Sequence, residues 1–433
     1  MLYHSTHKKV FGVSLQDAVI KGLADDKGLF MPDKIKQLPP SFSETIENRS
    51  FQEIAYVVAD AFFGEDVDAV SLKRIVAEAL DFEIPLVKVD DTCYSLELFH
   101  GPTLAFKDVG ARFMSRLLAY FIKNKAQTQV QVLVATSGDT GSAVANGFLG
   151  VEGIDVYVLY PKGLVSVIQE AQFTTLGQNI TALEVDGTFD DCQRLVKNAF
   201  MDEDLNEHLN LTSANSINVA RFLPQAFYYF YAYAQLKKMG KANNMVISVP
   251  SGNFGNLTAG LFAKRMGLPI KRFIAANNQN DIFLNYLQTG NYEPCTSIST
   301  IANAMDVGDP SNFARILDLY DGSHDAIIND ISGFAYTDEQ IAGTLKTCLK
   351  HNNYLLDPHG ACAYQALKDG LHNDEVGVFL ETAHPAKFKD TVERITSQVL
   401  PIPAKLQAFM QGKKRTVAID SNFDSFKTFL KTL

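Results

Sequence analysis

From about residue 96 onward the chain alternates short, almost unbroken apolar runs with longer amphipathic stretches, and few folds accommodate that alternation. The runs are VQVLVAT (130–136), IDVYVLY (154–160), ITALEV (180–185), MVISVP (245–250), KRFIAAN (271–277) and VGVFLET (376–382). Helix-length patterns such as DVGARFMSRLLAYFIK and TFDDCQRLVKNAF lie between most of them. A strand that is apolar on both sides must be covered on both, so the pattern predicts parallel strands joined by helical crossovers. We therefore expect an α/β protein with two open, mainly parallel sheets and helices on both faces.

The first 95 residues read differently. Helical patterns at 15–23, 51–63 and 70–79 are broken by PDKIKQLPPSFS, where Pro39-Pro40 and two serines punctuate. This predicts a mainly helical N-terminal domain over 1–95. The remainder divides into a small α/β domain over 126–214 and a large one assembled from 96–125 and 215–433. Residues from about 399 read as a peripheral helix and tail. The length of 433 residues fits such a division at roughly 150 residues per domain.

Composition narrows the class. A hydrophobic fraction of 46% with 20% charged residues excludes wholesale disorder. With 49 acidic against 39 basic residues the formal charge is −10, which argues against a broad nucleic-acid surface. Five scattered cysteines without a C-x-x-C pair suit a reducing cytosol. The N-terminal stretch has no signal-peptide core, and no apolar run approaches the roughly 18 residues of a membrane span. A soluble cytoplasmic protein is expected.

In open α/β sheets ligands bind beyond the carboxyl ends of strands, so the turns there are read first. Lys107 stands at the threshold of an apolar-patterned helix in LELFHGPTLAFKDVGARF. A helix N-terminus carries partial positive charge, so the position disfavours an ammonium; flanking Ala105 and Phe106 act the same way. A neutral amine is what a Schiff-base lysine requires, although a lone lysine beside a helix start is more often a snorkelling surface residue. Asp108 reads as a first-turn acid complementing the dipole, and His100 as a satisfied polar contact.

Three further turns follow strands or strand-like runs. Gly252, Asn253, Phe254, Gly255 and Asn256 lead from a strand into a helix, a place where backbone amides can cradle an anion. The spacing is neither the dinucleotide nor the triphosphate fingerprint. Thr136, Ser137, Asp139 and Thr140 line a second turn suited to a carboxylate or phosphate, or simply to capping the helix that follows. Asn215, Ser216 and Arg221 form a candidate phosphate clamp, with solvated turn residues as the plainer reading. Thr382 closes a strand, where its hydroxyl either caps or meets a ring nitrogen. Asp357, His359, Glu381 and His384 lack a zinc-ligand spacing, so no metal site is expected.

Taken in order, HGPTLAFKDVGARF, ATSGDTGSA, SANSIN, PSGNFGNLTAG, NAMDVGDPSN and ETAHPAKF resemble the threonine synthase family, pyridoxal-phosphate enzymes of the tryptophan-synthase-β type (fold type II). The likeness runs from FGVSLQDAVIKGLADDKGLFMP to about residue 395. It implies a carbon–oxygen lyase that converts O-phospho-L-homoserine and water to L-threonine and phosphate. It also implies that Lys107 carries pyridoxal 5'-phosphate as a Schiff base, that Gly252–Asn256 (252–256) hold the cofactor phosphate, and that Thr382 faces the pyridine nitrogen. Thr136, Ser137, Asp139 and Thr140 would receive the substrate carboxylate. Asn215, Ser216 and Arg221 would grip its phosphate, with Lys162 and Ser166 beside them. The resemblance further implies a monomer, while the acidic balance and the lack of a long apolar run argue against nucleic-acid and membrane partners. A dehydratase or phosphothreonine eliminase of the same fold, or a non-catalytic ligand-binding relative, is the alternative.

Overall fold

A computed structural model describes residues 1–123 and 129–433 of the chain, so the expected boundary at 125/126 lies outside the described residues. The chain forms two compact units. One comprises Met1, Met31–Phe106 and Phe222–Pro401; the other comprises Leu2–Phe30, Lys107–Arg221 and Ile402–Leu433.

The first unit is built on a six-stranded sheet. Its strands run, edge to edge, Ile331–Ala335, Arg272–Asn277, Met245–Pro250, Val376–Glu381, Cys93–Glu97 and Leu86–Lys88. All neighbours are parallel except the last pair, which is antiparallel through Leu86↔Leu96. Every residue of Met245–Pro250 is buried, as a strand covered on both faces must be. Helix Pro358–Gly370 packs on the central strands, burying Ala361, Cys362, Ala363, Ala366 and Leu367 in a core with Val246, Ile274 and Phe379. Helix Phe51–Phe63, opened by a Ser50–Glu53 capping box, packs against Ala69–Ala79 and against Ala226–Lys238.

The second unit carries a five-stranded, wholly parallel sheet in the order Val417–Asp420, Ile180–Asp186, Ile154–Pro161, Val130–Ala135, Asn210–Ser213. Helices Lys107–Lys123, Asp139–Phe148 and Val167–Thr174 pack in succession. Phe189–Met201 and Phe423–Leu430 share a core with Leu133, Leu159 and Leu183.

The apolar runs thus become the expected strands within a residue or two, and the α/β class with two mainly parallel sheets holds. The C-terminal stretch is a correction: it is no peripheral tail. Val417–Asp420 extends the sheet beside Ile180–Asp186, and Phe426 and Leu430 are fully buried. Residues 1–95 do not keep together either. The carbonyl of Val19 accepts the Asn218 amide (2.9 Å), which fastens residues 2–30 to the second unit. Helix packing and the strands at 86–97 draw 31–95 into the first. Near the N-terminus a short antiparallel pair, Leu2–Ser5 with Val13–Ser14, accompanies the helices. Among the described residues no helix is long and apolar enough to cross a membrane.

Candidate active site

The two units contribute separate sets of candidate residues. In the first unit, the glycine turn follows Met245–Pro250 and Thr382 follows Val376–Glu381, which are parallel neighbours with Ser248 opposite Phe379. Both therefore leave the same carboxyl edge of the sheet, side by side. Ser251 donates its N–H to Ala276 (2.8 Å), after which the chain turns through Gly252 and Asn253 to Phe254, a left-handed residue with φ +58°. Helix Gly255–Arg265 then begins with no side-chain cap, so its first amides are open to an anion.

The turn is held tightly. A Cβ on Gly252 would lie 2.9 Å from Met305 Cα and 3.0 Å from the Ala304 carbonyl, so only glycine fits. Asn253 Oδ1 accepts the Ser311 N–H (2.6 Å), and its carbonyl accepts the Asn312 amide (2.9 Å). Arg315 in turn donates to Asn312 Oδ1 (2.6 Å) and lies 4.0 Å over the Phe222 ring; burial lowers its pKa to about 9. The phenols of Tyr228 and Tyr229 approach Asn256 Oδ1 at 2.5 and 2.7 Å. They fix the amide's rotation and leave Nδ2 as a buried donor with no protein acceptor. An uncapped helix start beside an orphaned donor fits the phosphate of pyridoxal phosphate.

Thr382 is 7% exposed, and its carbonyl accepts the N–H of Phe106 (2.8 Å), the residue before Lys107. Ala105 bridges Ala383, the backbone N–H of His384 donates to the Leu104 carbonyl (3.1 Å), and Lys387 Nζ donates to the Thr103 carbonyl (2.9 Å). These bonds hold Leu104 in a left-handed conformation, φ +58°, which an L-residue rarely adopts. His384 is kept neutral: burial and then the nearby His100 lower its pKa to about 4. His100 Nε2 itself lies 2.7 Å from Glu97.

In the second unit, Lys107 is the first residue of helix Lys107–Lys123 and is half-buried, with Asp108 buried in the first turn. Arg221, 3% exposed, donates Nη1 to the Lys107 carbonyl and Nε to the Ala214 carbonyl, both at 2.8 Å. A Cβ on Gly110 would collide with the Arg221 carbonyl. The turns 136–141, 162–166 and 214–216 follow three adjacent parallel strands, Val130–Ala135, Ile154–Pro161 and Asn210–Ser213, so they too leave one sheet edge together.

Within the turn at 136–141, roles divide. Thr136 Oγ1 accepts the N–H groups of Gly138 (2.9 Å) and Gly141 (2.8 Å) and builds the turn. Buried Asp139 accepts the Gln169 amide (2.8 Å). Ser137 and Thr140 are half-buried, their hydroxyls the more accessible pair. Ser166 caps helix Val167–Thr174 and donates to Gln169 Oε1 (2.9 Å), while Lys162 is exposed. Asn215 is half-buried with Oδ1 shielded and unpartnered. Gln169 ties Ser166 to Asp139, a role that no local sequence pattern signals. The 303–312 segment, part of the NAMDVGDPSN motif, backs the glycine turn, and its sequence alone does not place it there.

Comparison with known proteins agrees with this architecture. The family model described as pyridoxal-phosphate dependent enzyme matches residues 84–382, and those for the threonine synthase N terminus and C-terminal region match 2–80 and 360–430. A threonine synthase of Haemophilus influenzae is 46% identical over 429 residues, 99% of each chain. The crystal structure of threonine synthase from Escherichia coli superposes with a TM-score of 0.93 at 40% identity, covering 100% of both chains. A PLP-bound threonine synthase from Brucella melitensis gives 0.93 at 34%, covering 100% of this chain and 99% of that one. Fold and turns together define a fold type II pyridoxal-phosphate enzyme. Within that class, the chain belongs to the threonine synthase family.

Proposed function

We propose that Lys107 is the cofactor-bearing and proton-moving lysine of a threonine synthase that turns O-phospho-L-homoserine and water into L-threonine and phosphate, the last step of threonine biosynthesis. The observation that carries the reading is the uncapped helix start at Gly255 with the orphaned Asn256 Nδ2, where Gly252, Asn253, Phe254, Gly255 and Asn256 would hold the cofactor phosphate. Thr382, leaving the adjacent strand, would meet the pyridine nitrogen with its hydroxyl. Bound there, pyridoxal phosphate supplies an electron sink for negative charge developing along the substrate's carbon chain.

The protein's own groups then divide the work. The Lys107 amine removes the proton from the substrate α-carbon and next from the β-carbon, and the charge left behind expels phosphate from the γ-carbon. Protonation at the γ-carbon, addition of the water hydroxyl at the β-carbon and return of a proton to the α-carbon complete L-threonine. Ser137 and Thr140 would bind the substrate carboxylate on a turn built by Thr136 and Asp139. Asn215, Ser216 and the exposed Lys162 would receive the substrate phosphate. Arg221 and Ser166, committed to backbone and to Gln169, would support that site through the groups they hold.

The separate N-terminal family match at 2–80 supports reading the N-terminal stretch as a distinct sequence region, although its residues divide between the two compact units. A cytoplasmic monomer without nucleic-acid partners completes the reading; the acidic balance of −10 supports the last point. The test is product analysis. The purified enzyme given O-phospho-L-homoserine should release L-threonine and phosphate in equimolar amounts, with serine, threonine and phosphothreonine turned over poorly. Release of a keto acid and ammonia instead would favour a dehydratase and contradict the reading.

A further inference from the structure

Behind the glycine turn lies a buried chain of polar groups that the reaction does not use. Asp357 caps helix Pro358–Gly370, and its Oδ1 lies 2.5 Å from His359 Nδ1. The other imidazole nitrogen, Nε2, accepts the backbone N–H of Ala304 (3.1 Å). Since Nε2 is the acceptor, Nδ1 carries the hydrogen and donates it to Asp357. Ala304 and Met305 belong to the 3₁₀ turn Asn303–Met305, whose backbone lies against Gly252 with no room for a methyl group. His359 is 2% exposed and its ring packs 4.9 Å from that of Phe388. Asp357 is further braced through its own N–H, which donates to Glu381 Oε1 (2.5 Å), the residue before Thr382.

We propose that His359 is a positioning residue for the cofactor phosphate: held by Asp357, it fixes the Ala304 N–H and so presses the 303–305 turn against Gly252. The inference rests on the reading that residues 252–256 hold that phosphate. Asp357 sets the tautomer, and the tautomer leaves one acceptor facing one amide. Loss of the acceptor leaves the half-buried Ala304 N–H without its partner and loosens the wall on which the first glycine rests. The consequence falls on the phosphate end of the cofactor and spares its aldehyde and ring.

Comparing two ligands isolates that effect. Full-length enzyme is stripped of cofactor and titrated, by visible absorbance, with pyridoxal phosphate and with pyridoxal, which lacks the phosphate. In His359→Ala the affinity for pyridoxal phosphate should fall about tenfold, as expected for the loss of one hydrogen bond at the turn, with pyridoxal affinity unchanged within about twofold. Should His359→Ala fail to fold, Asp357→Asn combined with His359→Phe fills the space without a lone buried charge and is expected to show the same selective loss. His359→Gln, which keeps an acceptor, should recover part of the preference. Gly252→Ala serves as the reference. If Gly252→Ala loses the phosphate preference and the His359 variants keep it, the inference about His359 is wrong. If Gly252→Ala keeps it too, the assignment of the phosphate turn itself fails.

Discussion

The guanidinium of Arg221 donates Nη1 to the carbonyl oxygen of Lys107 at 2.8 Å, while its Nε holds the carbonyl of Ala214. Arg221 thus fastens the backbone that bears the candidate reactive lysine to the turn at 214–216. Its planar fork serves two main-chain acceptors at once, which a lysine's single ammonium cannot reproduce. Arg221→Lys should therefore lower kcat by roughly a hundredfold, the scale of an ångström-sized misplacement, with a smaller change in KM. Steady-state kinetics with O-phospho-L-homoserine decide it. A rise in KM alone would return Arg221 to direct phosphate binding.

Gln169 acts on the neighbouring turn. Its side chain donates to Asp139 and accepts from Ser166, and it lies so close to Gly138 that a Cβ there would sit 2.6 Å from its Cδ. Gly138 is held at φ +142°, open only to glycine, so the turn and the glutamine fit as a unit. Gln169→Met keeps the bulk and removes both polar contacts. We expect KM for the substrate to rise about tenfold, the equivalent of one lost hydrogen bond, with kcat less affected. Unchanged KM would mean that the turn keeps its shape without this bond.

Much of this was legible in the sequence, and the remainder was hidden for identifiable reasons. Strands such as Val130–Ala135 and Met245–Pro250 announce themselves because a parallel strand covered on both faces is apolar at nearly every position. The turns that follow them were found by the same logic. Cys93–Glu97 carries the buried polar Ser95, Ile331–Ala335 contains Gly333, and Val417–Asp420 is mostly exposed at a sheet edge. None of these has the unbroken apolar signature, and their pairing is decided by distant partners. The sequence suggests a clamp or a solvated residue at Arg221 because its true acceptors are main-chain carbonyls, which leave no trace in residue identity. The roles of Gln169 and His359 depend on contacts spanning 30 and 55 residues, beyond the reach of local pattern.

Glu381 provides a stability signature. Burial, with the adjacent Asp357 charge, pushes its carboxyl well above the usual range, so the native state keeps a proton that the unfolded chain releases above about pH 4.3. The native state then binds more protons, and stability falls as pH rises through that window until the native group itself titrates. Its contribution is fully present below the unfolded value. Glu381→Gln, which mimics the protonated form, removes this slope of up to about 1.4 kcal/mol per pH unit. Chemical denaturation of both proteins from pH 4 to pH 8 should show the variant gaining steadily on the wild type. Parallel curves would place the Glu381 proton elsewhere.

The central claim concerns Lys107, and covalent mapping tests it most directly. Borohydride reduction of the holoenzyme, followed by digestion and mass spectrometry, fixes the cofactor to the nitrogen that carries it. The pyridoxyl group is expected on the peptide containing Phe106, Lys107 and Asp108, and Lys107→Ala should yield protein without that label. A pyridoxyl group recovered on any other lysine would contradict the account.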